Sequence, residues 1–252
     1  MAGRLTRLSH FVLSPTAEPG WLLVEEGVDP AREREIESLF AVGNGYLGMR
    51  ASVSEGTRFS HPSTFVAGIW TADGSSGPRL AALPDWLQVE VTVENERLSL
   101  ETGHAIAHRR RLDLRQGVLW REWCQQDPSG RITRLTYVQL ASLADRHVLL
   151  QSVAVTAENY AGRISLTARL CPADTAHTDI KQVVAESDAL RMRVSDKDIG
   201  VATASEVQSL AALQSARDQV GADDCEERWS WEAAARRNRA IGSDIHDLYL
   251  TQ

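Results

Sequence analysis

A two-residue alternation of apolar and polar positions is the strongest pattern in the chain. Over residues 86–93, Leu87, Val89, Val91 and Val93 share one face, while Gln88, Glu90 and Thr92 share the other. That is the pattern of a strand buried on one side only. Glu94-Asn95-Glu96 reads as a tight turn, and residues 97–100 as the start of a return strand. A second hairpin is predicted from residues 118–125 and 131–140. Its connection, Asp127-Pro128-Ser129-Gly130, is made of residue types that tolerate turn backbone angles. Alternation returns over 147–156 and 163–170, and shorter strands fit 182–185, 189–194 and 199–204. Many strands with turns between them, and no long amphipathic helix among them, predict an all-β fold: a large antiparallel β-sandwich.

The pattern changes near Ser205. Ser205-Glu206-Val207-Gln208 has the spacing of a capping box, and Val207, Leu210, Leu213 and Val220 give a helical apolar stripe. Gly221-Ala222-Asp223-Asp224 breaks it. A second helical run is expected over 228–239, carrying Trp229 and Trp231, with Arg236, Arg237 and Arg239 near its end, where cations favour the helix dipole. The expected division is a sandwich domain over 1–204 and a short C-terminal helical extension over 205–252.

Composition narrows the function. A chain of 252 residues is long enough for a substantial core. A net charge of −7 argues against a general nucleic-acid binder, which needs a basic face. Three widely spaced cysteines with no CxxC pair argue against a disulfide framework or a zinc site and suit a reducing cytoplasm. Residues 1–20 hold no apolar stretch long enough for a signal sequence or a membrane span, so a cytoplasmic protein without membrane partners is expected.

Several motifs suggest chemistry. Gly43-Asn44-Gly45-Tyr46-Leu47-Gly48 matches G-x-G-x-x-G by letter. A dinucleotide site needs that motif between a parallel strand and a helix, with an acid about twenty residues on. Here strand-like residues 49–53 follow, and 64–68 stand where the acid belongs. A backbone turn with positive φ at two or three positions is the reading that fits. Ser142, Asp145 and His147 are triad residue types but are crowded into one short stretch, which suits a turn entering a strand. His104 and His108 have zinc-helix spacing without the partner glutamate, and are expected at the surface. Of the seven tryptophans, Trp120 and Trp123 must face opposite sides of their strand, and Trp86 stands at a strand entry where it could cover a domain interface.

Taken in order, a set of blocks resembles one family. These are Glu37-Ser38-Leu39-Phe40-Ala41-Val42-Gly43-Asn44-Gly45-Tyr46-Leu47-Gly48-Met49-Arg50, then Phe65-Val66-Ala67-Gly68-Ile69-Trp70, Leu83-Pro84-Asp85-Trp86, Arg111-Leu112-Asp113-Leu114-Arg115-Gln116-Gly117-Val118-Leu119 and Ser142-Leu143-Ala144-Asp145-Arg146-His147. From about Trp21 to about Leu170 the chain is similar to the N-terminal domain of family-65 glycoside hydrolases, which include maltose, trehalose and kojibiose phosphorylases and some trehalose hydrolases. Two departures stand out: Glu94-Asn95 where the family usually has an Asp-Gly turn, and Gln139 near the place of an arginine. Both are expected to loosen the surface around the sandwich and leave the fold intact.

The resemblance implies a super-sandwich followed by a helical linker and an (α/α)6 barrel. The barrel would carry the general-acid glutamate and the phosphate site of an inverting reaction on α-glucosides such as trehalose or maltose. This stretch is then a non-catalytic module that supports the barrel and dimerisation. It has no catalytic residue, metal or cofactor of its own, and inorganic phosphate belongs to the longer parent. Its partners would be the barrel, an α-linked disaccharide and a second copy. The loops 55–62 and 73–84 are the longest expected between strands, and His61, Phe65 and Trp86 are the candidates for contact with sugar or barrel, with core burial the expected fate of Phe65. Two other readings stand beside it: a free-standing carbohydrate-binding sandwich, and a nucleotide-dependent enzyme built on the glycine motif.

Overall fold

A computed structural model describes residues 14–73, 77–169, 180–185, 189–194, 199–208, 235–239, 241–243 and 247–251, with side chains over 14–70 and 77–169. The chain enters through a short 3-10 turn, Pro19–Trp21. Then come β1 (Leu22–Glu26), α1 (Glu33–Leu39), β2 (Val42–Gly43), β3 (Leu47–Met49), β4 (Thr64–Val66), β5 (Trp70–Asp73) and β6 (Gly77–Leu80). The long strands follow: β7 (Val89–Val93), β8 (Glu96–Arg97), β9 (His104–Asp113), β10 (Val118–Gln126), β11 (Ile132–Ala141), β12 (Val148–Ala157) and β13 (Ile164–Ala168). Last are β14 (Ile180–Ala185), β15 (Ala189–Val194), β16 (Ile199–Gln208), β17 (Ala235–Arg239), β18 (Ile241–Ser243) and β19 (Asp247–Thr251).

The main sheet runs β1-β9-β10-β11-β12-β17-β16-β15-β14, with β18 and β19 attached beside β16. Its pairs are antiparallel except β16 with β19. A smaller sheet, β13-β7-β8, lies across it. The two meet in an apolar cluster of Val89, Val91 and Val93 with Leu135, Tyr137, Val153, Val155, Ile164 and Leu166. The predicted alternation is therefore realised: β7 buries its valines and half-exposes Glu90 and Thr92. A second cluster, around Phe40, Leu47, Met49, Leu83, Trp86 and Leu119, packs α1 and the β2-β3-β4 sheet on the other end of the main sheet.

The all-β expectation holds, with α1 the single α-helix among the described residues. The helical extension is corrected where it is described. Ser205–Gln208 is not a helix start: β16 runs through it and pairs with β17, Ser205 opposite Asn238 and Gln208 opposite Ala235. Ala235–Arg239, expected as the end of a helix, is that partner strand. A capping box is a local signal, and pairing with a distant segment overrides it. Residues 209–234, with Trp229 and Trp231, lie outside the described residues. The expected loop 73–84 is also corrected, because Gly77–Leu80 returns beside Trp70–Asp73 as a hairpin.

Candidate functional site

The glycine motif is a hairpin. β2 and β3 pair antiparallel, with Val42 opposite Met49 and Gly43 opposite Gly48. Only Gly45, at φ 85°, needs a left-handed backbone; Gly43 and Gly48 do not. The turn is set by Asn44. Its Oδ1 accepts from the N–H groups of Tyr46 (3.0 Å) and Leu47 (2.8 Å), and its Nδ2 donates to the carbonyls of Ser142 (2.7 Å) and Arg146 (3.0 Å). One side chain thus joins the hairpin to the β11–β12 turn. That turn uses the apparent triad internally: Ser142 Oγ accepts from the Asp145 N–H at 3.0 Å, and Asp145 Oδ1 from the His147 N–H at 3.0 Å. The His147 ring stands edge-on to Tyr46 at 4.8 Å, and the Arg146 guanidinium lies over the same ring at 4.8 Å. Burial raises the Tyr46 phenol, partly offset by Arg146.

Glu37 is a second hub. Its side chain is fully buried and forms an ion pair with Arg50 at 3.2 Å. Oε1 also accepts from Ser60 Oγ (2.6 Å) and the His61 N–H (2.9 Å). Arg50 in turn donates to the Arg34 carbonyl at 2.6 Å. The first and last residues of the long motif block are therefore partners, and together they hold the 55–62 loop against α1.

Inside the sandwich runs a charged row. Arg110 and Arg121 are direct cross-strand neighbours on β9 and β10, and both are buried. Glu33 of α1 receives Arg110 in a two-pronged ion pair, and Glu25 adds a bond at 3.3 Å. Glu55 receives Arg121, whose guanidinium lies over the Tyr137 ring at 4.4 Å. Burial pushes the Glu55 carboxyl up, against the pull of Arg121. His108, expected at the surface, is 4 % exposed. Burial, then Arg121 and Arg110, hold it down to about 2, and its Nδ1 meets the Gly27 carbonyl at 2.9 Å. Gln139 is also internal: it donates to Gln151 Oε1 at 2.6 Å, which also accepts from Ser54 Oγ at 2.8 Å, while Gln151 Nε2 donates to the Leu87 carbonyl at 3.0 Å. Gln139 therefore lies in the interior, not at the surface that it was expected to loosen.

Residues 23–241 match the family model for the N-terminal domain of glycosyl hydrolase family 65. The chain belongs to this family. Among its relatives, the kojibiose phosphorylase of Thermoanaerobacter brockii is 29 % identical over 201 residues, 75 % of this chain and 26 % of the relative. An uncharacterized glycosyl hydrolase of Mycobacterium tuberculosis is 30 % identical over 211 residues, 73 % of this chain and 16 % of the relative. A solved structure from the human microbiome, provisionally named a kojibiose phosphorylase, superposes with a TM-score of 0.61 at 18 % identity, covering 77 % of this chain and 28 % of that one. It supports the fold alone. The chain spans about a quarter or less of the curated relatives it matches.

Within this family-65 domain the three predicted contact residues are spread by depth. His61 is exposed, with its backbone fixed by Glu37. Phe65 is half-buried in β4, opposite Gly48, instead of lying in the core. Trp86 is 0 % exposed within the second apolar cluster, so its ring is core. Trp120 and Trp123 are both buried, on opposite faces of β10 as their odd spacing requires. Sequence reasoning missed the charged row and Asn44. The Asn-Gly dipeptide was the available signal for Asn44, and three successive arginines on β9 were the signal for the row. Among the described residues no group of three His, Cys, Asp or Glu could hold a metal ion, and no helix is long and apolar enough to cross a membrane.

Proposed function

We propose that this chain is the non-catalytic N-terminal module of a longer, inverting disaccharide phosphorylase or hydrolase acting on α-glucosides such as trehalose, maltose or kojibiose. The observation that carries the reading is what the buried carboxylates do. Glu33, Glu37 and Glu55 are each bound to an arginine inside the fold. None of these three faces open space where a glycosidic oxygen could be protonated or a water activated, and Glu26 and Glu122, which do border open space, are each paired with an arginine. Inverting hydrolysis or phosphorolysis needs a carboxyl group free to act on its substrate. The general acid and the phosphate site would belong to a catalytic (α/α)6 domain, and the module itself would need no cofactor. Loop 55–62, fixed by Glu37, would present His61 beside Phe65 toward that domain, as loops on a rigid scaffold commonly do. Exposed Trp70 and Leu80, cross-strand neighbours on the β5–β6 hairpin, offer apolar area for docking to the barrel or to a second copy. A cytoplasmic setting fits the free, buried Cys124.

The test is to incubate the purified chain with trehalose, maltose and kojibiose, with and without inorganic phosphate, and to follow glucose and glucose 1-phosphate. No release above the blank is expected. Release that scales with protein and survives repurification overturns the non-catalytic reading.

A further inference from the structure

Among the described residues the module also carries a groove lined by apolar and charged side chains. It lies where β1 ends. Gly27, at φ 83°, gives its N–H to the His108 carbonyl at 2.8 Å and turns away from β9. Beyond that point residues 104–107 of β9 have no strand on their outer side among the described residues. A bulge falls in the same stretch: Cys124 faces Ala107 and Gln125 faces Ala105, so Ile106 is the extra residue. The space so opened is about 720 Å³, within the usual range of small-molecule sites.

The walls are of two kinds. Phe59, Leu100 and Ile106 supply apolar surface, and Ile106 is 48 % exposed. Glu26, Arg109, Glu122 and Arg134 supply charges that are already paired. Arg109 binds Glu26 at 2.6 Å, Arg111 binds Glu122 at 2.7 Å and Arg134 binds Glu158 at 2.6 Å. The lining thus holds two acids and two arginines, and His108 in its wall is neutral. Each charge in the lining is already matched by an opposite one, so a charged ligand finds no unmatched partner there and gives up its own hydration on entry. The first two pairs engage Oε1 of Glu26 and Oε1 of Glu122, and each carboxylate has a second oxygen with which to accept. Fixed donors and acceptors beside apolar patches match hydroxyl groups set around C–H faces. The bulge argues against a peptide strand, because bulges are a means by which sheet edges resist strand addition.

We propose that this groove binds a neutral, polyhydroxylated small molecule of one or two sugar rings. The test is titration of the intact chain, by calorimetry and ligand-observed NMR, with maltose, trehalose and kojibiose, and with glucose 6-phosphate and glucosamine as charged analogues. Saturable binding of at least one neutral sugar is expected, roughly tenfold or more tighter than either charged analogue. Ile106→Trp, which fills the groove, should abolish it, and Glu26→Gln should weaken it by about threefold to tenfold. Leu143→Arg, on the β11–β12 turn, should leave it unchanged. Both groove variants are first checked for a wild-type melting profile, and Glu26→Gln decides if Ile106→Trp melts early. Absence of saturable binding, preference for a charged analogue, or binding unaffected by the folded groove variants overturns the proposal. Because no turnover is read, its failure is distinct from failure of the catalytic assignment.

Discussion

His108 shows how an ordinary residue becomes a pH-dependent weakness. Its folded value of about 2 lies far below the ordinary value of 6.5, so the unfolded chain takes up a proton that the fold refuses. The stability associated with neutral His108 is present above about pH 6.5 and is lost as pH falls toward the folded value. From pH 6.5 to 5 the loss is about 2 kcal/mol. Denaturant melts of wild type and His108→Gln across that interval should show the variant with the shallower acid decline; parallel curves would refute the account. Asn44 matters in another way. Four hydrogen bonds converge on it, so Asn44→Ala should cost about 2–4 kcal/mol. Asn44→Asp keeps both accepted bonds but turns an oxygen toward the Ser142 and Arg146 carbonyls, and should destabilise as well. Urea midpoints measure both, and an unchanged Asn44→Asp midpoint would mean that the tie to the β11–β12 turn is weak.

Among elements, the β7–β8 turn is the one to repair. Glu94 and Asn95 have φ of 57° and 111°. Two successive positive-φ residues are what a tight hairpin requires, and Asn at 111° is strained where glycine is not. Asn95→Gly should raise stability by a few tenths to about 1 kcal/mol, less what glycine adds to the unfolded chain's entropy, and a thermal melt reads the sign. Glu94 should be kept, because its Oε1 accepts from the Arg163 N–H at 2.6 Å and ties the turn to the entry of β13. The strands were legible for a simple reason. In β7 and β11, buried and less buried residues alternate without interruption, so a short window contains the whole signal. The end of β16 was not legible, because Ser205–Gln208 is decided by partners at 235–238 that no local window contains. Arg110 and Arg121 escaped for the opposite reason: local pattern assigns arginine to solvent, while their partners, Glu33 and Glu55, come from distant segments. Trp86 fits both a core and a platform as a residue type, and only packing separates them.

At the scale of the molecule, the charged row lies between two apolar clusters and fastens α1 and the 55–62 loop to the main sheet. Removing one partner leaves a buried charge alone, so Glu33→Ala should cost about 3–5 kcal/mol. The pair replacement Arg110→Met with Glu33→Leu should recover most of that loss, and chemical denaturation of the three proteins decides it. If the single and double variants are equally unstable, packing of α1 and not the buried charge is the cause. The smaller sheet carries a different consequence. β7 has β13 as its long partner, Val93 opposite Ile164, and the five strands β8 to β12 are all made between them. At synthesis rates of about 5–20 residues per second, the newborn chain holds the β7 valines without that partner for several seconds. During that time they are an apolar strand edge open to other nascent chains, so the yield of this module in a cell depends on how fast translation carries it past Ala168.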